Sequence, residues 1–208
     1  MPRELSPSEI EDFRDRLCDT ALEIFAEKGV EGLTLREVAA RLGVSPMTPY
    51  RYFKDKEAIL AAVRTRAFSD FADALEKAVT RRGDATAQSR AAGKAYQAFA
   101  FTHAEAYRLM FMVKQKDAEA KDPALQLALE RARATMSHHV KLLIDVGIFE
   151  GDPELIGHVF WAALHGLVML ELSGQFTKRY SFSKVRDATF RALGQGFLRK
   201  GRSTGSPR

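Results

Sequence analysis

No stretch of this chain alternates apolar and polar residues as a half-buried strand would; every periodic segment repeats at the helical spacing. In the first such segment, Ile10, Phe13, Leu17, Ala21, Ile24 and Phe25 fall on one stripe. The punctuation agrees with the period. Ser6-Pro7-Ser8-Glu9 reads as a capping box with proline at the first helical position, and Gly29 is expected to end that helix. Thr34 and Glu37 open a second, short helix that closes at Gly43. Asp55 can cap a helix that runs to about Arg82, where Gly83 stops it. Longer helices are expected over about 85–103, from Asp122-Pro123 to near Gly147, from Asp152-Pro153 to Ser173, and from about Ser183 to Lys200, with a short one near 105–113. Aspartate before proline is a cap followed by a residue whose missing N–H costs nothing in the first turn. The expected fold is all-α with about nine helices. A three-helix helix-turn-helix domain over 1–62 is joined to a helical bundle over 63–200, and a disordered tail covers 201–208.

Composition narrows the function classes. At 208 residues the chain can bury a sizeable core. No segment has the ~18 uninterrupted apolar residues of a membrane span; the richest, "LIGHVFWAALHGLVMLEL", carries His158, His165 and Glu171. The polar, acidic start is unlike a signal peptide, and the single Cys18 rules out an intrachain disulfide framework. A cytoplasmic protein with no membrane partner is expected. The net charge of +5 is unevenly placed: residues 1–62 hold 9 basic and 12 acidic side chains, residues 178–208 hold 9 and 1. Any nucleic-acid binding by the N-terminal domain must therefore come from local arrangement, not from overall charge.

"TLREVAARLGVSPMTPYRYF", residues 34–53, supplies such an arrangement. Val38 and Leu42 lie one turn apart and face a core. Ala39 is small where a crossing helix would come close. Gly43 can take the left-handed conformation that ends a helix in a tight turn. Val44 is an apolar plug, and Ser45 can cap a second helix. This is the helix–turn–helix pattern, whose second helix can enter the major groove of DNA.

With "ALEIFAEKGVEGLTLREVAARLGVS" followed by "YRYFKDKEAIL", residues 10–63 resemble the TetR family of transcriptional regulators. The later "WAALHGLVMLEL" is similar to the C-terminal type named for a Trp-His-Gly signature, with His165-Gly166 four residues after Trp161. The resemblance implies an all-helical homodimer. Its N-terminal domains would bind a pseudo-palindromic operator in double-stranded DNA, and its C-terminal domains would dimerise and bind a small ligand. No cofactor and no metal is implied. The family's positions favour Arg36, Thr48, Tyr50, Arg51, Tyr52 and Lys56 as DNA contacts.

The side-chain chemistry extends that set. Tyr50 and Tyr52 offer hydroxyls on a short lever, and Arg51 can reach guanine edges bidentately or pair with a phosphate. Lys54 and Lys56, at the next helix start, suit backbone phosphates; Thr34 and Arg36 begin the helix that crosses the backbone; Ser45, Met47 and Thr48 line the approach. Two prolines complicate this region. Pro46 sits at a first helical position. Pro49, where the family usually has leucine or similar, either deletes the backbone bond to the Ser45 carbonyl or begins a shorter helix capped by Thr48.

The C-terminal half is rich in large, soft side chains. Phe99, Tyr107, Met110, Met136, His139, Trp161 and His165 are the expected lining of an apolar pocket for a small apolar or aromatic effector, with histidines to orient one polar group. No Arg or Lys falls in that set, which argues against a phosphorylated ligand. Val185, Thr189, Leu193 and Phe197 form a stripe suited to a two-fold helical interface. The favoured reading is a ligand-responsive, DNA-binding regulator that acts as a repressor. A helical enzyme with His165 or His139 as base lacks a paired acid or nucleophile; a protein-interaction module is the third reading.

Overall fold

The structure, a computed structural model, describes residues 6–79, 84–112 and 122–199. Among these, the elements are α1 Pro7–Gly32, α2 Leu35–Leu42, α3 Lys56–Val79, α4 Ala85–Thr102, α5 Ala104–Met112, α6 Pro123–Asp145, α7 Pro153–Leu172 and α8 Phe182–Phe197. A 3-10 turn, Pro49–Arg51, lies between α2 and α3. The described residues hold no strand beyond two isolated bridges. The expected stops at Arg82-Gly83 and Lys200, and the tail 201–208, lie outside the described residues. Of the helices expected from sequence, the third is thus a single 3-10 turn rather than an α-helix.

The caps are where their residues require them. Ser6 accepts from the Glu9 backbone, and Glu9 reaches back to the Ser6 N–H at 2.8 Å. Gly29 bends α1 rather than ending it: with φ 67° and ψ −171° it breaks the ladder, and the helix resumes to Gly32.

The packing falls into two compact units, residues 1–70 with 103–129, and 71–102 with 130–208. The first unit is built on Leu17, Ile24, Leu33, Val38 and Ile59, all fully buried, with Phe53, Val63 and Leu109 closing round them. Cys18 belongs to this core, and burial pushes its thiol up to about 11. Ion pairs brace the outside: Arg41 meets Glu27 through two bonds of 2.7 Å, Lys28 meets Glu37 at 2.7 Å, and Arg66 meets Asp15 and Asp19.

In the second unit, Phe71 stands edge-on to Tyr96 and Phe99, each 5.2 Å away. Val140, Leu143, Phe149 and Ile156 form a second cluster, with Phe160 and Phe197 packed against it. Gly157 lets α7 cross close to α6, since a Cβ there would lie 3.3 Å from the Met136 carbonyl. Among the described residues, α7 alone is long and apolar enough to cross a membrane by length and composition. Here Ile156, Leu164, Leu167 and Val168 of that helix are buried in protein. The Phe197 of the α8 stripe packs against Phe149 and Phe160 of its own chain. The exposed face of α8 instead carries Ala188, Ala192 and Gly196, and that of α7 carries Leu155, Ala162, Gly166 and Leu170.

Candidate functional site

The helix–turn–helix begins with Thr34, whose hydroxyl accepts the Glu37 N–H at 3.1 Å. That bond fixes the start of α2 and leaves Arg36 exposed on its first turn. Gly43, left-handed at φ 67° and ψ 30°, ends the helix. Its N–H reaches the Ala40 carbonyl at 3.2 Å, and Val44 N–H reaches Ala39 at 3.0 Å, the paired bonds of a Schellman end.

The next seven residues show what two prolines do. In a regular helix the Ser45 carbonyl would accept from residue 49, but Pro49 has no N–H. The carbonyl accepts instead from Thr48 N–H at 2.8 Å, one residue earlier, and the Ser45 hydroxyl takes the Met47 N–H at 3.4 Å. Pro49 opens the 3-10 turn, and its carbonyl accepts from Tyr52 and Phe53 at 3.0 and 2.9 Å. Of the two starts open to the sequence, the second is observed, except that the Thr48 side chain makes no capping bond. Thr48 is in the right-handed helical region directly before a proline, where that conformation is disfavoured, and buried Pro49 holds it there.

This geometry sorts the expected DNA contacts. Met47 and Tyr50 are exposed (67% and 42%) and share a shallow depression with Arg36 and Pro46. Ser45, Arg51 and Lys54 are exposed, and Thr48 is half-buried. Tyr52 turns inward: its ring lies 5.0 Å from that of Phe13, and its carbonyl accepts from Arg14 at 3.2 Å. Lys56 is half-buried, with Nζ donating to the Val30 carbonyl at 3.3 Å. Phe53 is buried beneath the Arg14 guanidinium, 4.7 Å from its ring centre. The protein thus presents a short, rigid edge of Arg36, Met47, Tyr50 and Arg51, while Tyr52 and Lys56 are engaged within the domain.

The second unit holds a cavity of about 470 Å³, of the size that takes a drug-like molecule. Its apolar wall includes Leu75, Val140, Leu143, Phe149, Phe160 and Phe190, with Met136, His139 and Trp161 beside them. The Trp161 indole N–H donates to the Tyr96 hydroxyl at 3.1 Å, which fixes two aromatic walls against each other. His139 Nδ1 lies 3.1 Å from the Thr135 carbonyl. A carbonyl can only accept, so Nδ1 carries the proton and Nε2 of the neutral ring is the acceptor. Burial holds the His139 ring below the usual histidine range, which keeps it neutral.

Of the residues expected to bind a ligand, Met136, His139 and Trp161 line this cavity. His165 is half-buried next to Trp161, with ring centres 6.2 Å apart, and is not among the lining residues; burial lowers its pKa as well. Phe99 is buried against Phe71. Tyr107 and Met110 are fully buried in the first unit and are not among the lining residues of this cavity. Sequence reasoning passed over Tyr96 and Phe190, and also three cations at the cavity, Arg90, Lys94 and Arg186. Arg90 and Lys94 carried a signal, one turn apart on a helix whose other face is apolar. Among the described residues no cluster of His, Cys, Asp and Glu is arranged to hold a metal ion.

Residues 17–63 match the description "bacterial regulatory proteins, tetR family", and residues 89–196, more than half of the chain, match "tetracyclin repressor-like, C-terminal domain". The chain belongs to the tetR family of bacterial regulatory proteins. It is a ligand-responsive, DNA-binding transcriptional regulator of the helix-turn-helix kind. It is 27% identical over 162 residues to an uncharacterized HTH-type transcriptional regulator of Mycobacterium tuberculosis, a match covering 77% of this chain and 71% of that one. Over 50 residues it is 42% identical to the class D tetracycline repressor of Escherichia coli, 24% of this chain and 23% of that one. A solved structure from Rhodococcus sp. RHA1, of a protein with unknown function, is 27% identical, with a TM-score of 0.78 over 95% of this chain and 99% of that one. The Rhodococcus fold, at 95% of this chain, extends through the cavity unit, whereas the match to the class D tetracycline repressor is 50 residues long.

Proposed function

We propose that this regulator is a cytoplasmic, homodimeric repressor that binds a pseudo-palindromic operator and releases it when a small, largely apolar molecule enters the cavity of the second unit. The cavity carries the proposal: most of its wall is aromatic and aliphatic, with polar and charged side chains at part of the lining, and it lies in the second unit rather than in the one that holds the helix–turn–helix. Arg36, Met47, Tyr50 and Arg51 would read each half-site, with Thr34, Ser45, Thr48 and Lys54 at the phosphate backbone and Tyr52 and Lys56 holding the edge in shape. Two helices with small exposed residues, α7 with Ala162 and Gly166 and α8 with Ala188, Ala192 and Gly196, would pair with their copies across a two-fold axis. Effector binding would change the separation of the two reading edges and spoil their match to the operator. An enzymatic reading finds less support, because the polar partner of His139 Nδ1 is a backbone carbonyl rather than an acid or a nucleophile.

The test is duplex-DNA binding by the full chain at several salt concentrations, on the operator found by genomic footprinting. Affinity should fall steeply with salt, as phosphate contact requires. Arg51→Ala should cost about 1–3 kcal/mol on the operator and much less on random duplex. Equal losses on both would assign Arg51 to phosphate alone, and no salt-dependent binding at all would overturn the proposal.

A further inference from the structure

The cavity is apolar inside, but its charged lining residues are nearly all of one sign. Arg90 and Lys94 lie one turn apart on α4, and Arg186 comes from α8. Asp187 is the only carboxylate among the lining residues. Arg186 shares it, with Nε and Nη2 at 2.8 and 2.7 Å from the same oxygen, while Nη1 donates to the Gln97 side chain at 2.9 Å. Gln97 is itself held, its amide nitrogen donating to the Gly93 carbonyl at 3.0 Å. Arg186 is therefore fixed in place, and two of its five N–H donors remain for a further acceptor. Among the described residues Arg90 and Lys94 have no ion-pair partner, so the three cations outnumber their one carboxylate.

From this arrangement we infer that the effector is an amphipathic organic anion: an aliphatic or aromatic body with one carboxylate-like head group. The inference rests on the effector reading above and narrows it. The body would lie along Phe160, Trp161 and Leu143, and the head would meet Arg186, Arg90 and Lys94. Two effects would separate this anion from its relatives. A neutral molecule of the same body gains the apolar contacts but leaves three cations unpaired by ligand. A cationic one meets like charge, most strongly at half-buried Arg186.

The test compares decanoate, decanol and decyltrimethylammonium binding to the full-length protein, read by Trp161 fluorescence, the chain having one tryptophan. Decanoate should bind at least about tenfold more tightly than decanol, and the ammonium compound more weakly than either. Salt should weaken decanoate binding and leave decanol binding nearly unchanged, because only the former includes a screened charge pair. The double substitution Arg90→Met, Lys94→Met, at exposed helical positions, should remove most of the preference for decanoate while keeping decanol affinity and thermal stability. Equal affinity for decanoate and decanol, or a preference that survives the double substitution, would overturn the inference and leave an apolar effector standing. If none of the three perturbs Trp161, the cavity is not an effector site, and the broader reading fails with this one.

Discussion

The reading unit and the cavity unit solve opposite problems with the same helices. In the first, Leu17, Ile24, Leu33, Val38 and Ile59 are fully buried, α1, α2 and α3 begin on capping bonds to Ser6, Thr34 and Asp55, and ion pairs fasten α1 to α2 and to α3. The edge proposed to read DNA lies on a turn that holds two prolines, with Tyr52 and Lys56 tied inward behind it. In the second, a void of about 470 Å³ remains between the helices, glycines stand in α4 and α8 beside it, and α8 buries none of its residues fully. A DNA reader must keep a few side chains at fixed spacing, and freedom there would cost affinity. A ligand responder needs the reverse: space that a guest can fill, and walls that shift when it does.

Substitutions of the same kind in each unit should therefore differ in outcome. The largest contrast is between two phenylalanines. Phe53→Ala opens a hole in a closed core, and about 3–5 kcal/mol of stability should be lost, with operator binding lost alongside. Phe160→Ala enlarges a space that already exists, so its cost in urea unfolding should fall below that range. Equal costs would mean that the cavity wall is as tightly committed as the first core.

A smaller contrast concerns glycine. At Gly43 there is room for a methyl group, but φ is 67°, so Gly43→Ala should destabilise by roughly 1–2 kcal/mol through backbone conformation alone. Gly93 lies within α4, also with nothing near its missing Cβ, and Gly93→Ala should stabilise by up to about 1 kcal/mol. Thermal unfolding of the two variants checks both signs. A destabilising Gly93→Ala would show that α4 needs its flexibility beside the cavity.

The smallest expected effect is a pH dependence confined to the second unit. Burial holds the folded-state pKa of His139 below its reference value of 6.5. Between the folded and unfolded values the unfolded chain binds more protons, so stability is full above about pH 6.5 and declines as pH falls through that value. His165, also lowered by burial, adds in the same direction. His139→Gln should flatten this acid loss in urea titrations between neutral pH and pH 5. An unchanged pH profile would assign the acid sensitivity elsewhere.

The two units also differed in how far the sequence disclosed them. The capping residues Ser6, Thr34 and Asp55 and the left-handed Gly43 act on backbone groups a few residues away, so local reading located α1, α2 and the start of α3. The effect of Pro49 is local too: a missing N–H at one position fixes which carbonyl goes elsewhere. The cavity depends on which faces of distant helices meet, and periodicity cannot decide that. Tyr107 and Met110 have the right chemistry for a pocket wall, but they lie on α5, which packs in the first unit with α1. Met136 and Trp161 lie on α6 and α7, which cross closely at Gly157 and so come to one wall. Leaving Arg90, Lys94 and Arg186 out of the expected site had the same origin, since one comes from a helix about 90 residues beyond the others in the chain.

The central claim is that reading and response are separate in this molecule, so that a change at the cavity alters the answer to an effector without altering the grip on DNA. The direct measurement is operator affinity of the wild type and of Trp161→Ala, by fluorescence anisotropy of labelled duplex, with and without an effector identified by its release of the operator. Trp161 lines the cavity and donates to Tyr96, with no part in the reading edge. The account predicts operator affinities that agree within about twofold when effector is absent, with release by effector weakened at least about tenfold in the variant. A variant that folds, as thermal unfolding would report, yet binds the operator poorly without effector, or still releases it at the wild-type concentration, would contradict the account.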